Sequence, residues 1–191
     1  MGGERILNIL AQAQTRCRHH ADYWEWAVDR KRAERAVAEA LIEQLRVEGR
    51  FDNATRETPD LAFLTNDGRK IGIEVAEIVD ERAAATNRHA EKKRQPRVWA
   101  FWSDVALAKT LNHWVRVKDI KIGPSADQFD EVWLVLATDE PTIDIAMAES
   151  ACASCEASAQ HLQRAFLILG YQPDALSRFP SGRATFPIAL A

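Results

Sequence analysis

An α/β fold, with a mixed central sheet flanked by helices, is predicted by three features of this 191-residue chain. Residues 59–65 and 70–78 are apolar, β-branched runs around the turn Asn66-Asp67-Gly68-Arg69, the pattern of a β-hairpin. Residues 131–137 and 165–169 are continuous apolar runs of the kind buried in the middle of a sheet. Segments of helical spacing or composition lie before and between these runs. Strands that alternate with helices behind an opening hairpin give a sheet covered on both faces.

In chain order, residues 1–30 place Ile6, Ile9, Leu10 and Ala13, then Tyr23, Trp24, Trp26 and Ala27, at helical intervals, with no Gly or Pro after Gly3. They read as an N-terminal helical extension of one or two helices. Trp24 and Trp26 cannot share a helix face, so they either pack among the added helices or turn one ring towards a partner surface or a second copy of the chain. Residues 32–48 form an amphipathic helix with the stripe Val37, Ala38, Leu41, Ile42 and Leu45, and with Arg35, Glu39, Glu43 and Arg46 on the far side. In the hairpin, Gly68 supplies the positive φ that a tight reversal needs.

Residues 81–95, rich in Ala, Arg, Lys and Glu, read as a helix stopped by Pro96. A second helix over 98–117 turns Trp99, Trp102, Val105, Ala106 and Leu111 towards a core, Lys118 to Lys121 add positive charge beyond it, and the polar stretch 123–128 is a loop. Thr138-Asp139-Glu140-Pro141 ends the strand over 131–137. The Ala-rich residues 145–163 are helical by propensity, and 184–188 form an edge strand tolerant of Pro187.

With 47% hydrophobic and 28% charged residues, the chain suits one core and a single domain over 1–191. A formal net charge of −3 provides no global attraction to nucleic acid, so any such binding uses local patches. No apolar run reaches the ~20 residues of a membrane span, and Met1-Gly2-Gly3-Glu4-Arg5 lacks the pattern of a secretion signal. A cytoplasmic location without a membrane partner is the expectation. Cys17, Cys152 and Cys155 read as reduced thiols in helices, or else as zinc ligands joined by His19 or His20. Nucleotide-binding, α/β-hydrolase and zincin motifs are absent.

Two acids sit where apolar residues belong. On the second hairpin strand Gly72, Glu74, Ala76 and Ile78 share one face, and Ile71, Ile73, Val75 and Glu77 share the other. The small neighbours of Glu74 leave room beside its carboxylate, and an antiparallel partner brings Asp60 to the same side. Two carboxylates with space beside them suit a hard divalent cation such as Mg²⁺. Glu34 lies in the apolar stripe of the preceding helix, three, four, seven and eleven positions before Val37, Ala38, Leu41 and Leu45. It is either an inward-facing ligand or a first-turn acid favoured by the helix dipole.

A helix with an inward Glu34, a strand that opens Pro59-Asp60, and a strand centred on Ile73-Glu74-Val75 together resemble the core of the PD-(D/E)xK nuclease superfamily. The motif covers roughly residues 32–80, and the order of elements extends the similarity along the chain. The resemblance implies a restriction-endonuclease-like core with Mg²⁺ or Mn²⁺ as cofactor. It implies Glu34, Asp60 and Glu74 as metal ligands, and nucleic acid, DNA in preference to RNA, as partner. One position departs from the pattern: where the family has Lys, two residues after the strand acid, this chain has Ala76. Some branches of the superfamily supply the basic group from the following helix. That directs attention to Arg82, Lys92, Lys93 and Arg94, with Lys92 and Lys93 as the first candidates beside Asp60 and Glu74 for the catalytic set. Lys70 lies two same-face steps before Glu74, roughly 13 Å along the strand. Glu77 joins the site only through a bulge.

Two functions follow. The first is a Mg²⁺-dependent endonuclease that hydrolyses phosphodiester bonds. The second is a catalytically inactive binding protein on the same fold, with the Trp-rich helices as a homodimer or partner surface. Ala76 favours the second, and the retention of all three acids favours the first. Arg82, Arg88, His89, Lys92, Lys93, Arg94 and Arg97 hold phosphates if they converge on one face, and are otherwise a solvated surface.

Overall fold

The computed structural model describes residues 30–52, 58–86, 100–140, 142–170 and 184–191. Their elements are α1 (Arg30–Leu45), β1 (Gly49–Asp52), β2 (Leu61–Thr65), β3 (Lys70–Glu77), α2 (Asp104–Ala126), β4 (Glu131–Thr138), α3 (Ile145–Ala153), β5 (Arg164–Leu169) and β6 (Ala184–Ile188). Residues 81–86 are also helical. The strands form one sheet in the order β1-β2-β3-β4-β5-β6. The first three make an antiparallel meander, β3, β4 and β5 run parallel, and β6 returns antiparallel to β5. Each parallel step needs a crossover, and α2 and α3 lie in those two connections.

Alternation along the strands divides the core between two faces. Ile71, Ile73 and Val75 of β3, with Trp133, Val135, Phe166 and Ile168, pack under Val37, Ala38, Leu41 and Ile42 of α1. On the opposite face Ala76, Leu134, Leu136 and Leu167 pack under Leu107, Leu111, Val115 and Ile122 of α2 and Ala148, Ala151 and Cys152 of α3. This is the mixed sheet between helices that the sequence predicts. The hairpin turn has Gly68 at φ 91, and its N–H donates to the Thr65 carbonyl at 3.0 Å.

Four boundaries differ from expectation. Helix α1 stops at Leu45 instead of running to 48. Arg46 takes a left-handed φ of 53, and the Val47 N–H turns back to the Ile42 carbonyl at 3.1 Å, closing the helix end. Strand β1 is short and mostly exposed, so no apolar alternation announces it; Phe51 meets Phe63 edge-on with ring centroids 4.9 Å apart.

Helix α2 begins later and ends later than the predicted 98–117 segment. Ser103 caps it by accepting the Ala106 N–H at 3.2 Å, and Gly123 and Pro124, expected in a loop, lie in its last turns. The inward stripe is therefore Leu107, Leu111, Val115, Lys118 and Ile122, while Val105 is 79% exposed and Ala106 is exposed. Trp102 packs on the core just ahead of the helix, and Trp99 lies outside the described residues.

Helix α3 ends at Ala153, well short of 163, because α2 captures the backbone that follows. Asn112 accepts the Glu156 N–H at 3.0 Å. Asp119 accepts those of Gln160, His161 and Leu162 at 3.0, 2.8 and 3.0 Å. Those bonds outweigh the helical propensity of a few Ala residues.

The N-terminal extension, with Cys17, His19, His20, Trp24 and Trp26, lies outside the described residues. So does the basic stretch containing Arg88, His89, Lys92, Lys93, Arg94 and Arg97. Among the described residues no helix is long and apolar enough to cross a membrane.

Candidate active site

Where β2 begins, β3 runs past it, and the two hairpin acids meet at that step. Leu61 pairs with Ile73, so Asp60, one residue earlier, stands beside Glu74 and Val75. Asp60 Oδ2 accepts the Val75 N–H at 2.8 Å. Burial, then the charge of Glu74, pushes the Asp60 carboxyl up to about 6, against the Val75 hydrogen bond and the Lys118 charge, which pull it down.

Glu74 is wholly buried. Its Oε1 accepts two ammonium groups, Lys118 Nζ at 2.6 Å and Lys121 Nζ at 2.7 Å. Its Oε2 is buried without a hydrogen-bond partner. The lysines stand three positions apart on α2, so both reach the same side of that helix. They differ in access: the Lys118 side chain is 11% exposed and that of Lys121 is 45%. Lys118 Nζ also lies 5.7 Å from the centre of the Trp114 ring. Burial draws the Lys121 ammonium down, but the Glu74 hydrogen bond and the charges of Glu74 and Asp60 outweigh it and hold the group above its ordinary value.

The space expected beside Glu74 is filled. A methyl group at Gly72 would come within 2.7 Å of Pro59 Cγ and 3.1 Å of the Phe129 ring, so Gly72 is small because two side chains cover it. Ala76, on the other side, is part of the core under α2 and α3. Solvent meets the cluster at half-buried Asp60 and at Lys121.

Glu34 is buried on α1 and accepts Arg30 Nε on Oε1 at 2.7 Å, with the Arg30 side chain 68% exposed. The Glu34 hydrogen bond raises the Arg30 guanidinium, and the charges of Glu34, Asp60 and Glu74 all add to that effect despite partial burial. Arg30 in turn acts on Lys121. Arg30 and Glu34 of α1 thus act on the Asp60–Glu74 pair through charge, while Lys118 and Lys121 of α2 bond to Glu74 directly. Among the described residues no three His, Cys, Asp or Glu side chains are grouped to hold a metal ion. Glu34 is engaged by Arg30, which leaves Asp60 and Glu74 as the adjacent pair.

Among the described residues the basic partners of Glu74 come from α2. Arg82 is exposed, while Lys92, Lys93 and Arg94 lie outside the described residues. Lys118 and Lys121, which the sequence does not single out, hold the acid. Lys70 places its ammonium 4.8 Å from the centre of the Phe129 ring. The missed signal was available: Lys118 interrupts the apolar stripe of α2 just as Glu34 interrupts that of α1. It was hidden because the helix was expected to stop at 117.

Of the remaining candidates, two cysteines and two histidines lie among the described residues. Cys152 and Cys155 are free, buried thiols, and burial raises both, Cys152 to about 12. His113 stacks edge-on against Trp114 at 6.1 Å, and the His161 ring lies against Gly123. Compared with family models, with curated proteins and with solved structures, the chain matches none.

Proposed function

We propose that this protein is a divalent-metal-dependent nuclease of restriction-endonuclease-like type, acting on DNA in preference to RNA. In this reading Asp60 and Glu74 hold Mg²⁺ or Mn²⁺, and Lys118 does the work of the Lys that Ala76 lacks. The observation that carries the reading is the state of Glu74. A fully buried carboxylate has one oxygen fixed by two ammonium groups and the other without any partner. A buried, unsatisfied carboxylate oxygen is costly and calls for a ligand. Pro59, Phe129 and the core close the space along the strand, so Asp60 and Glu74 would hold a hard cation on the side where Asp60 meets solvent, with water and a phosphate as its remaining ligands. When bound, such a cation lowers the pKa of a water and offsets charge at phosphorus.

The chain's own residues supply the rest. Lys118 and Lys121 fix Glu74 Oε1 and so orient Oε2. The Val75 N–H fixes Asp60 Oδ2 and leaves its second oxygen for a ligand. Lys118, held in a mostly dry position, supplies a positive charge for the phosphoryl oxygens. Arg30 neutralises buried Glu34 within α1.

One observation favours the alternative, a catalytically inactive binding protein on this fold. The formal charges of Glu34, Asp60 and Glu74 are already balanced by those of Arg30, Lys118 and Lys121 without a metal. Nicking of supercoiled plasmid separates the two. The nuclease reading expects cleavage with Mg²⁺ or Mn²⁺, none in EDTA, and a fall of roughly a hundredfold or more in Lys118→Met. A folded wild type that nicks neither DNA nor RNA with either ion leaves the binding protein.

A further inference from the structure

We propose that the outer edge of β1 pairs with β1 of a second copy of the chain, antiparallel, about a two-fold axis at Phe51. The pairing is independent of the nuclease reading.

Among the described residues β1 and β6 are the two edges of the sheet. The β6 edge is guarded: Pro187 has no N–H to offer, and the Ala189 N–H just past the strand goes to the Cys152 carbonyl at 3.3 Å. Strand β1, Gly49-Arg50-Phe51-Asp52, holds no Pro, and three of its four residues are exposed. Its hydrogen-bonding direction follows from two printed distances. The Asn66 N–H donates to the Glu48 carbonyl at 3.0 Å, whereas the Thr65 N–H turns the other way, to the Arg69 carbonyl at 2.9 Å. Antiparallel strands bond at every second residue, so Glu48, Arg50 and Asp52 direct their backbone groups to β2. Gly49 and Phe51 direct theirs out of the edge.

An outward residue bonds only to another outward residue, so a two-fold pairing centres on one of the four residues of β1. Centred on Arg50 or on Asp52, it sets like charges directly opposite each other, which is unfavourable. Centred on Gly49, it opposes no other residue of β1 to a residue of β1. Centred on Phe51, it places Arg50 opposite the partner's Asp52 and Asp52 opposite the partner's Arg50. The Phe51 N–H of each copy then donates to the Phe51 carbonyl of the other, and the two Phe51 side chains become cross-strand neighbours. That ring is already held in place, 4.9 Å from the centre of Phe63 and with the Arg35 guanidinium 4.8 Å from its own centre. The strand is thus complementary to itself in one register. So short an edge buries little area, and the dimer is a weak, reversible one.

The test is sedimentation equilibrium of the full chain over protein concentrations from about 1 µM to about 1 mM. The wild type is expected to dimerise reversibly, and less well as salt is raised. Arg50→Asp sets acid against acid at both charged positions, and Asp52→Arg sets cation against cation. Each variant alone is expected to dimerise about tenfold more weakly or worse. Mixed in equal amounts, the two oppose unlike charges again and are expected to pair with one another, and the chain that carries both substitutions is expected to recover the wild-type constant. A misfolded variant gains nothing from mixing. A wild type that stays monomeric throughout overturns the proposal. So does a dimer that neither substitution weakens, since another surface then holds it, and so do variants that weaken alone but do not pair when mixed.

Discussion

Lys118 Nζ lies 2.6 Å from Glu74 Oε1, and the bond ties two buried side chains 44 positions apart in the sequence. It fastens α2 to β3 through a charge pair set inside an otherwise apolar face. Removing one member of such a pair leaves the other buried and uncompensated, at a typical cost of about 3–5 kcal/mol, whereas replacing both with uncharged groups is often nearly neutral. Glu74→Gln is therefore expected to lose about 3 kcal/mol in urea unfolding, and Glu74→Gln with Lys118→Met to recover most of it. A double variant no more stable than Glu74→Gln alone would show that the pair is not coupled.

Asp60 carries the opposite liability. Its carboxyl stands at 3.8 in the ordinary state and about 6 in the folded protein, raised mainly by burial. Between those values the folded state binds the proton more strongly, so stability falls as pH rises from about 4 to about 6 and stays lower above that. With the solvent contact of this half-buried group allowed for, the loss is about 2 to 3 kcal/mol. Asp60→Asn keeps an acceptor for the Val75 N–H and removes the charge. Thermal melts at pH 8 are expected to show the variant more stable than wild type, with the difference vanishing near pH 4. A variant less stable than wild type at pH 8 contradicts this account of Asp60.

Asp119 is a purely structural acid by the same reasoning. It is buried and accepts three consecutive backbone N–H groups that have no helix to serve them. Asp119→Ala strands those donors and is expected to cost about 3 kcal/mol or more. Amide hydrogen exchange should quicken first at Gln160, His161 and Leu162. Unchanged protection there would mean that the loop is held by other contacts.

The buried charged residues also show how far the sequence can be read. Glu74 and Glu34 were visible because each interrupts a short, regular apolar pattern on one element, and the strands around them follow from period-two alternation. Asp119 and Lys118 were not, because both lie past the point where a helix was expected to stop. Gly123 and Pro124 look like breakers, yet both lie within the last turns of α2. The end of α3 was unreadable for a different reason: its terminator is Asp119 and Asn112 on another helix, a tertiary contact that no local composition records. Likewise Gly72 and Ala76 looked like space left for a ligand, when Pro59, Phe129 and the core under α2 fill it. Small residues mark close approach, and sequence alone does not say whether the visitor is a ligand or the protein itself.

The account turns on whether Asp60 and Glu74 hold a divalent ion together, and calorimetric titration of Mn²⁺ into wild type and into Asp60→Asn at pH 8 asks that most directly. Asp60→Asn suits the comparison because it is expected to fold at least as well as wild type. The account predicts one saturable site in the wild type, its heat abolished in Asp60→Asn, and an affinity that falls as pH drops below about 6, where Asp60 takes up its proton. Absence of any Mn²⁺ site in the wild type, or undiminished binding in Asp60→Asn, would contradict it.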